Sequence, residues 1–299
     1  MDKRNWTGVF PAITTPFNAD YTVNHAALAE HATWLIENGC VGIVALGSLG
    51  ESQTLSAEEK VGILDTLRRA LPSVPLIAGI AGLSTPDCAS LAKRAEAAGC
   101  NGLMVLPAYV YKGDWRETKA HYSGVIGATS LSCMLYNNPI AYGTDVTPDQ
   151  LSELADLHDN LHAVKESSGD VRRVTHVRAR LGERLAIFAG MDDMILESVP
   201  MGAVGWIAGL VNAFPAESVR VYELARDGRM DEARVLYEWF LPLLRLDTVP
   251  KFVQLIKLVQ QEVGRGTATV RPPRMELTGD ELEDALVRIR ESIAKRPAN

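Results

Sequence analysis

Apolar residues along the chain fall into two rhythms that take turns. Nearly continuous apolar runs, at Gly8 to Thr14, Pro75 to Ile80, Cys133 to Asn137, Leu161 to Lys165 and Leu185 to Ala189, read as strands buried on both faces, as parallel strands are. Between them the spacing changes to that of a helix. In the first such stretch Leu28, Ala32, Leu35 and Ile36 fall at i, i+4, i+7 and i+8, which is one buried stripe. Three more segments repeat a single plan: NGCVGIVALG from Asn38, AGCNGLMVLP from Ala98 and MGAVGWIAG from Met201. In each, a helical pattern ends in Gly39, Gly99 or Gly202, which fit helix C-caps because a residue without Cβ enters the left-handed region cheaply. A second glycine follows and is expected to let the chain turn tightly into an apolar strand.

Helix starts are marked as well. Ser56 with Glu59 forms a capping box, Thr85-Pro86 puts Pro at the first helical position, and Thr147 through Gln150 combines both devices. About eight strands alternate with helices over about 220 residues, which predicts an α/β chain folded as a (β/α)8 TIM barrel. The competing fold is an open doubly wound sheet, but its GxGxxG turn is missing, since the first strand leads into TTPF. Beyond Arg226 the alternation stops. Met230 to Glu262 reads as two helices broken near Leu246 to Pro250, and Thr278 with Glu281 opens a last one. We therefore expect a catalytic barrel over 1–225 and a C-terminal helical domain over 226–299, packed on the barrel or on a partner subunit, with RGTATVRPPR as an ordered surface loop.

Composition removes several classes of function. With 299 residues, 47% of them apolar, and a net charge of -7, the chain carries no footprint for nucleic acid or anionic membrane. No apolar run nears the ~20 residues of a membrane span, and MDKRNWTGVF holds no apolar signal segment, so a cytoplasmic protein is expected. Cys40, Cys88, Cys100 and Cys133 show no CxxC spacing and read as buried reduced thiols. The six histidines form no HxH or HExxH pattern, and no metal or cofactor is expected. Asp192-Asp193, the one carboxylate pair near a strand end, reads as a turn and helix cap.

The candidate chemistry lies at strand ends. Lys165 closes the LHAVK run before ESSGD. A lysine there either pairs with a carboxylate such as Glu166 or loses its proton and becomes a nucleophile. Gly47-Ser48-Leu49-Gly50-Glu51 is a turn able to aim backbone N–H groups at an anion, Tyr109 stands at the rim, and Tyr136 ends the strand before that of Lys165. An amine, a phenol and an anion turn form a coherent set for 2-oxo acids.

GVFPAITTPF, GSLGE, YNNP and VKESSGD, in that order, resemble the dihydrodipicolinate synthase and N-acetylneuraminate lyase family, and the resemblance extends from about Trp6 to the C-terminus. It implies a (β/α)8 barrel with C-terminal helices, a Schiff base between Lys165 and a pyruvate-like 2-oxo acid, and Tyr136 as proton relay. It also implies Ser48 as the relay hydroxyl, Ser48 and Leu49 backbone groups for the substrate carboxylate, Gly47 and Ile207 beside the substrate, and a homodimer or homotetramer. Tyr109 matches a tyrosine that in many members completes the relay in the neighbouring subunit. Two positions depart from the pattern. Ala141 stands where the synthases carry an arginine for the second substrate's carboxylate, which disfavours dihydrodipicolinate synthesis, and Leu49 replaces a common Thr.

YNNP, KESSGD, AGMDD, YEWFLPLLRLD, GRGTA and RPPR are similar to a catabolic subgroup, the 1-pyrroline-4-hydroxy-2-carboxylate deaminases of hydroxyproline breakdown. The alternatives are a 2-keto-3-deoxy sugar-acid aldolase or dehydratase, a silent 2-oxo-acid-binding barrel, and a metal-dependent aldolase.

Overall fold

Every apolar run forms a parallel strand in the computed structural model, which describes residues 1–297, so the last two residues of the expected helical part lie outside it. The strands are β1 (Gly8–Pro11), β2 (Ile43–Ala45), β3 (Leu76–Ile80), β4 (Gly102–Val105), β5 (Ser132–Asn137), β6 (Leu161–Glu166), β7 (Ala186–Ala189) and β8 (Gly205–Ala208). They pair in the order β1-β8-β7-β6-β5-β4-β3-β2, and an Ala12–Val44 bridge brings the ends of that order together. The result is a (β/α)8 barrel.

Twelve helices surround and follow it: α1 (His25–Glu37), α2 (Ala57–Ala70), α3 (Thr85–Ala97), α4 (Trp115–Ile126), α5 (Pro139–Tyr142), α6 (Pro148–Leu157), α7 (Arg172–Leu181), α8 (Ile195–Ser198), α9 (Pro215–Arg226), α10 (Met230–Leu244), α11 (Phe252–Glu262) and α12 (Gly279–Ala294). The last three form the C-terminal helical part. None of the described helices is long and apolar enough to cross a membrane.

The glycine plan is half as expected. Gly39, Gly99 and Gly202 have φ of 96°, 81° and 113°, as C-caps in the left-handed region require. The second glycines serve packing rather than turning. A Cβ on Gly42 would collide with the Phe10 ring and one on Gly205 with the Phe188 ring. Those rings fill the barrel together with Trp6, which lies 6.2 Å from Phe10 and 5.9 Å from Phe188.

Ser56 and Thr147 make the expected capping boxes. Elsewhere the caps differ. Ser84 caps α3, so Pro86 is its second residue; Thr278 makes no side-chain cap, and Glu281 pairs with Lys251 instead of closing a capping box.

Candidate active site

Register decides where Lys165 points. Tyr136, Lys165, Phe188 and Gly205 are successive partners across β5 to β8, and Phe188 fills the barrel, so this layer faces inward. Lys165 is only 6% exposed, and its Nζ lies 4.4 Å from the centre of the Tyr136 ring. Among the described residues no carboxylate oxygen comes within 4.0 Å of it. The alternative partner, Glu166, is occupied elsewhere, accepting from Ser168 N at 2.7 Å and Asn137 Nδ2 at 3.0 Å. Burial therefore pulls the Lys165 pKa down to about 8, although the charges of Asp247 and Asp192 oppose it.

Tyr136 Oη accepts from Asn138 Nδ2 at 3.0 Å, and burial raises the phenol's pKa. Ser48 is not its direct partner. A second phenol intervenes: Tyr142 Oη lies 2.5 Å from Ser48 Oγ, and its ring packs 5.7 Å from both Tyr136 and Tyr109. Tyr109 Oη accepts from Gln53 Nε2 at 3.3 Å. Tyr142 carries no motif of its own in the sequence; Asn138 capping the single-turn α5, with Gly143 at φ 72°, is what turns Tyr142 inward.

The turn after β2 is held from below. Leu46 and Glu51 both adopt positive φ, 61° and 56°, a costly conformation for residues with a Cβ. Glu51 is fully buried and accepts from Lys257 Nζ of α11 at 2.6 Å and from Arg271 N at 3.0 Å. Lys257 also donates to the Thr15 and Thr269 carbonyls, each at 2.8 Å. Ser52 N bonds back to the Gly47 carbonyl, while the N–H groups of Ser48 and Leu49 have no partner among the described residues. Those two donors are free for an anion. Leu49 is buried beside them.

Two carboxyls complete the mouth. Asp192 is no cap for its own turn; it accepts from Trp206 Nε1 at 3.2 Å, Gly209 N at 3.0 Å and Leu210 N at 2.8 Å. Asp247, from the turn after α10, presses on Gly209. Ile207 alternates with Gly205 and Gly209 on the inward face of β8, below Asp247. Outside the tyrosines a cavity of 820 Å³ is lined by Gln53, Tyr109, Lys112, Ile140, Ala141 and Tyr142. Ala141 is exposed there and offers no cation. The set can form an imine at Lys165, bind one carboxylate at the turn and move protons through phenols.

Comparison with known proteins finds relatives over nearly the whole chain. The Dihydrodipicolinate synthetase family pattern matches residues 5–291. The 4-hydroxy-tetrahydrodipicolinate synthase of Haloarcula marismortui is 31% identical over 284 residues, covering 95% of this chain and 92% of that protein. The 4-hydroxy-tetrahydrodipicolinate synthase structure from Methylacidiphilum fumariolicum superposes with a TM-score of 0.91 at 29% identity, covering 97% of both chains. The chloride-inhibited dihydrodipicolinate synthase of Acinetobacter baumannii, complexed with pyruvate, gives 0.89 at 28% identity, covering 96% of this chain and 98% of that one.

Proposed function

The chain belongs to the dihydrodipicolinate synthetase family of class I lyases, and from that premise we propose that it opens, dehydrates and deaminates 1-pyrroline-4-hydroxy-2-carboxylate. The observation that carries the reading is a buried Lys165 against Tyr136, connected through Tyr142 to the turn at Ser48, with Ala141 in place of a guanidinium. A substrate with a single carboxylate suits that arrangement. The named relatives are synthases, an activity that needs a clamp for a second carboxylate. Leu49 and Ala141 also count against a sugar acid, whose several hydroxyls call for polar side chains.

In this reaction the Lys165 amine adds to C2 and the ring C2–N bond breaks, leaving an imine on the enzyme and a free amino group on C5. Tyr136 takes the C3 proton, and Ser48 and Tyr109, together with the intervening Tyr142, pass it along. The C4–O bond then breaks and water leaves. Protons then shift from C5 and the amine to C3 and C4, which turns the amine into an imine, and hydrolysis at C2 and C5 releases 2-oxoglutarate semialdehyde and ammonia. The N–H groups of Ser48 and Leu49 hold the carboxylate, with Gly47 and Ile207 beside it. No cofactor is required. We extend the proposal to a cytoplasmic homodimer or homotetramer, for which exposed Leu83, Val110 and Ile140 around the outer cavity offer an apolar rim.

The purified protein should release ammonia from the hydroxylated pyrroline and form no condensation product from pyruvate and aspartate semialdehyde. Condensation without ammonia release would return the chain to the synthases. Tyr136→Phe should keep most imine formation and lose at least ~100-fold in turnover, the scale of one positioned acid/base. Turnover close to that of the unaltered protein would remove the phenol from the mechanism.

A further inference from the structure

Two glycines end neighbouring strands at the barrel mouth, and the absence of a side chain there admits others. A Cβ on Gly190, after β7, would collide with Ser167 Oγ and sit 2.8 Å from Lys165 Cε, and one on Gly209, after β8, would collide with the Asp247 carboxyl. β7 and β8 are hydrogen-bonded neighbours, and such strands lie ~4.8 Å apart. The Lys165 stem therefore leans over the end of one strand and the Asp247 carboxyl over the end of the next. Among the described residues no carboxylate lies within 4.0 Å of Lys165 Nζ, so the amine and the Asp247 carboxyl are not ion-paired.

Asp247 is the one carboxyl at this mouth with unused capacity. Both oxygens of Asp192 are taken by Trp206, Gly209 and Leu210. Asp247 Oδ1 is shut off from solvent and has no hydrogen-bond partner among the described residues. Buried polar atoms are ordinarily paired, so an unpartnered carboxyl oxygen against the end of β8 at this mouth has capacity for a ligand. Burial first, and the neighbouring Asp192 charge second, raise the Asp247 pKa well above that of an ordinary aspartate, which favours the protonated form.

We propose that Asp247 is a catalytic acid/base of this site, serving the substrate carbons beyond C3. The role rests on the lyase reading above and deepens it: the site takes a substrate with a leaving hydroxyl at C4 and an amine at C5. As the enamine electrons expel the C4 oxygen, the Asp247 O–H bond breaks and its proton joins the departing oxygen as water. The carboxylate left behind takes a proton from C5, which restores the acid. Tyr136 returns its proton to C3, which leaves the double bond between C4 and C5, and transfer of an amine proton to C4 then gives an imine at C5 that water hydrolyses.

Asp247→Asn keeps shape and volume while removing the proton. Pyruvate with borohydride should still label Lys165 in this variant, which establishes that the fold and the amine survive. With the hydroxylated pyrroline, ammonia release should fall ~100-fold or more. The borohydride-trapped adduct should be heavier by one water than the adduct from the unaltered protein, because elimination has stalled. A variant that releases ammonia within ~3-fold of the unaltered protein, or an adduct that has already lost its hydroxyl, overturns the role of Asp247 and leaves the lyase reading standing. An unaltered protein that pyruvate labels but that releases no ammonia overturns both the substrate and the role.

Discussion

Lys165→Ala should eliminate covalent capture of pyruvate and lower turnover by ~10⁴-fold or more, because the nucleophile has no substitute. Borohydride reduction in the presence of pyruvate, followed by peptide mass spectrometry, should find the adduct on Lys165 in the unaltered protein and none in the variant. An adduct that persists in the variant, or no adduct in either, removes the mechanism. The pH dependence is a second check on the same amine. Burial penalises the ammonium, so the proton leaves earlier than from a lysine in water, whose pKa is ~10.4. The rate of imine formation should rise with pH and level off near about 8. A rate still climbing steeply above pH 10 would mean the amine is solvated after all.

The second large effect should appear in stability. Lys257→Met strands the Glu51 carboxylate, which is 0% exposed and would retain only the Arg271 N–H and an Arg274 guanidinium 3.8 Å away. Breaking a buried pair on one side costs ~3–5 kcal/mol, more than the pair itself contributes, since the remaining charge keeps its desolvation penalty. The lowered pKa of Lys257, which burial depresses despite Glu51, means that desolvation outweighs the attraction, so the intact pair itself contributes little. Urea unfolding should register the loss. The double variant Glu51→Gln with Lys257→Met should recover much of it, because no unpaired charge is then buried. A single variant within ~1 kcal/mol of the unaltered protein would show that water or rearrangement reaches Glu51. Since Glu51 ends the turn that presents Ser48 and Leu49, the single variant should also weaken carboxylate binding.

Strand and helix identities could be read from the sequence because each rests on local rules: apolar runs for β1 to β8, cap residues for α2 and α6, and left-handed glycines after α1 and α3. Lys165 and Tyr136 were legible because adjacent parallel strands bring their ends together. What escaped was set by packing between distant segments. Gly42 and Gly205 look like turn residues but make room for phenyl rings that come from other strands. Asp192 looks like a helix cap but serves a turn 17 residues onward. Tyr142 reaches Ser48 across 94 positions, and Asp247 arrives from a helical segment that shows no sign of chemistry in its own pattern. The Glu51–Lys257 pair, 206 positions apart, was equally invisible.

That last pair limits how the chain can be shortened. A gene truncated after Arg226 would encode all eight strands yet leave Glu51 without its counter-ion and the mouth without Asp247. Such a shortened chain should yield an insoluble product rather than a minimal enzyme. Evolution by shuffling would likewise have to carry the trailing helices along with the strands they neutralise.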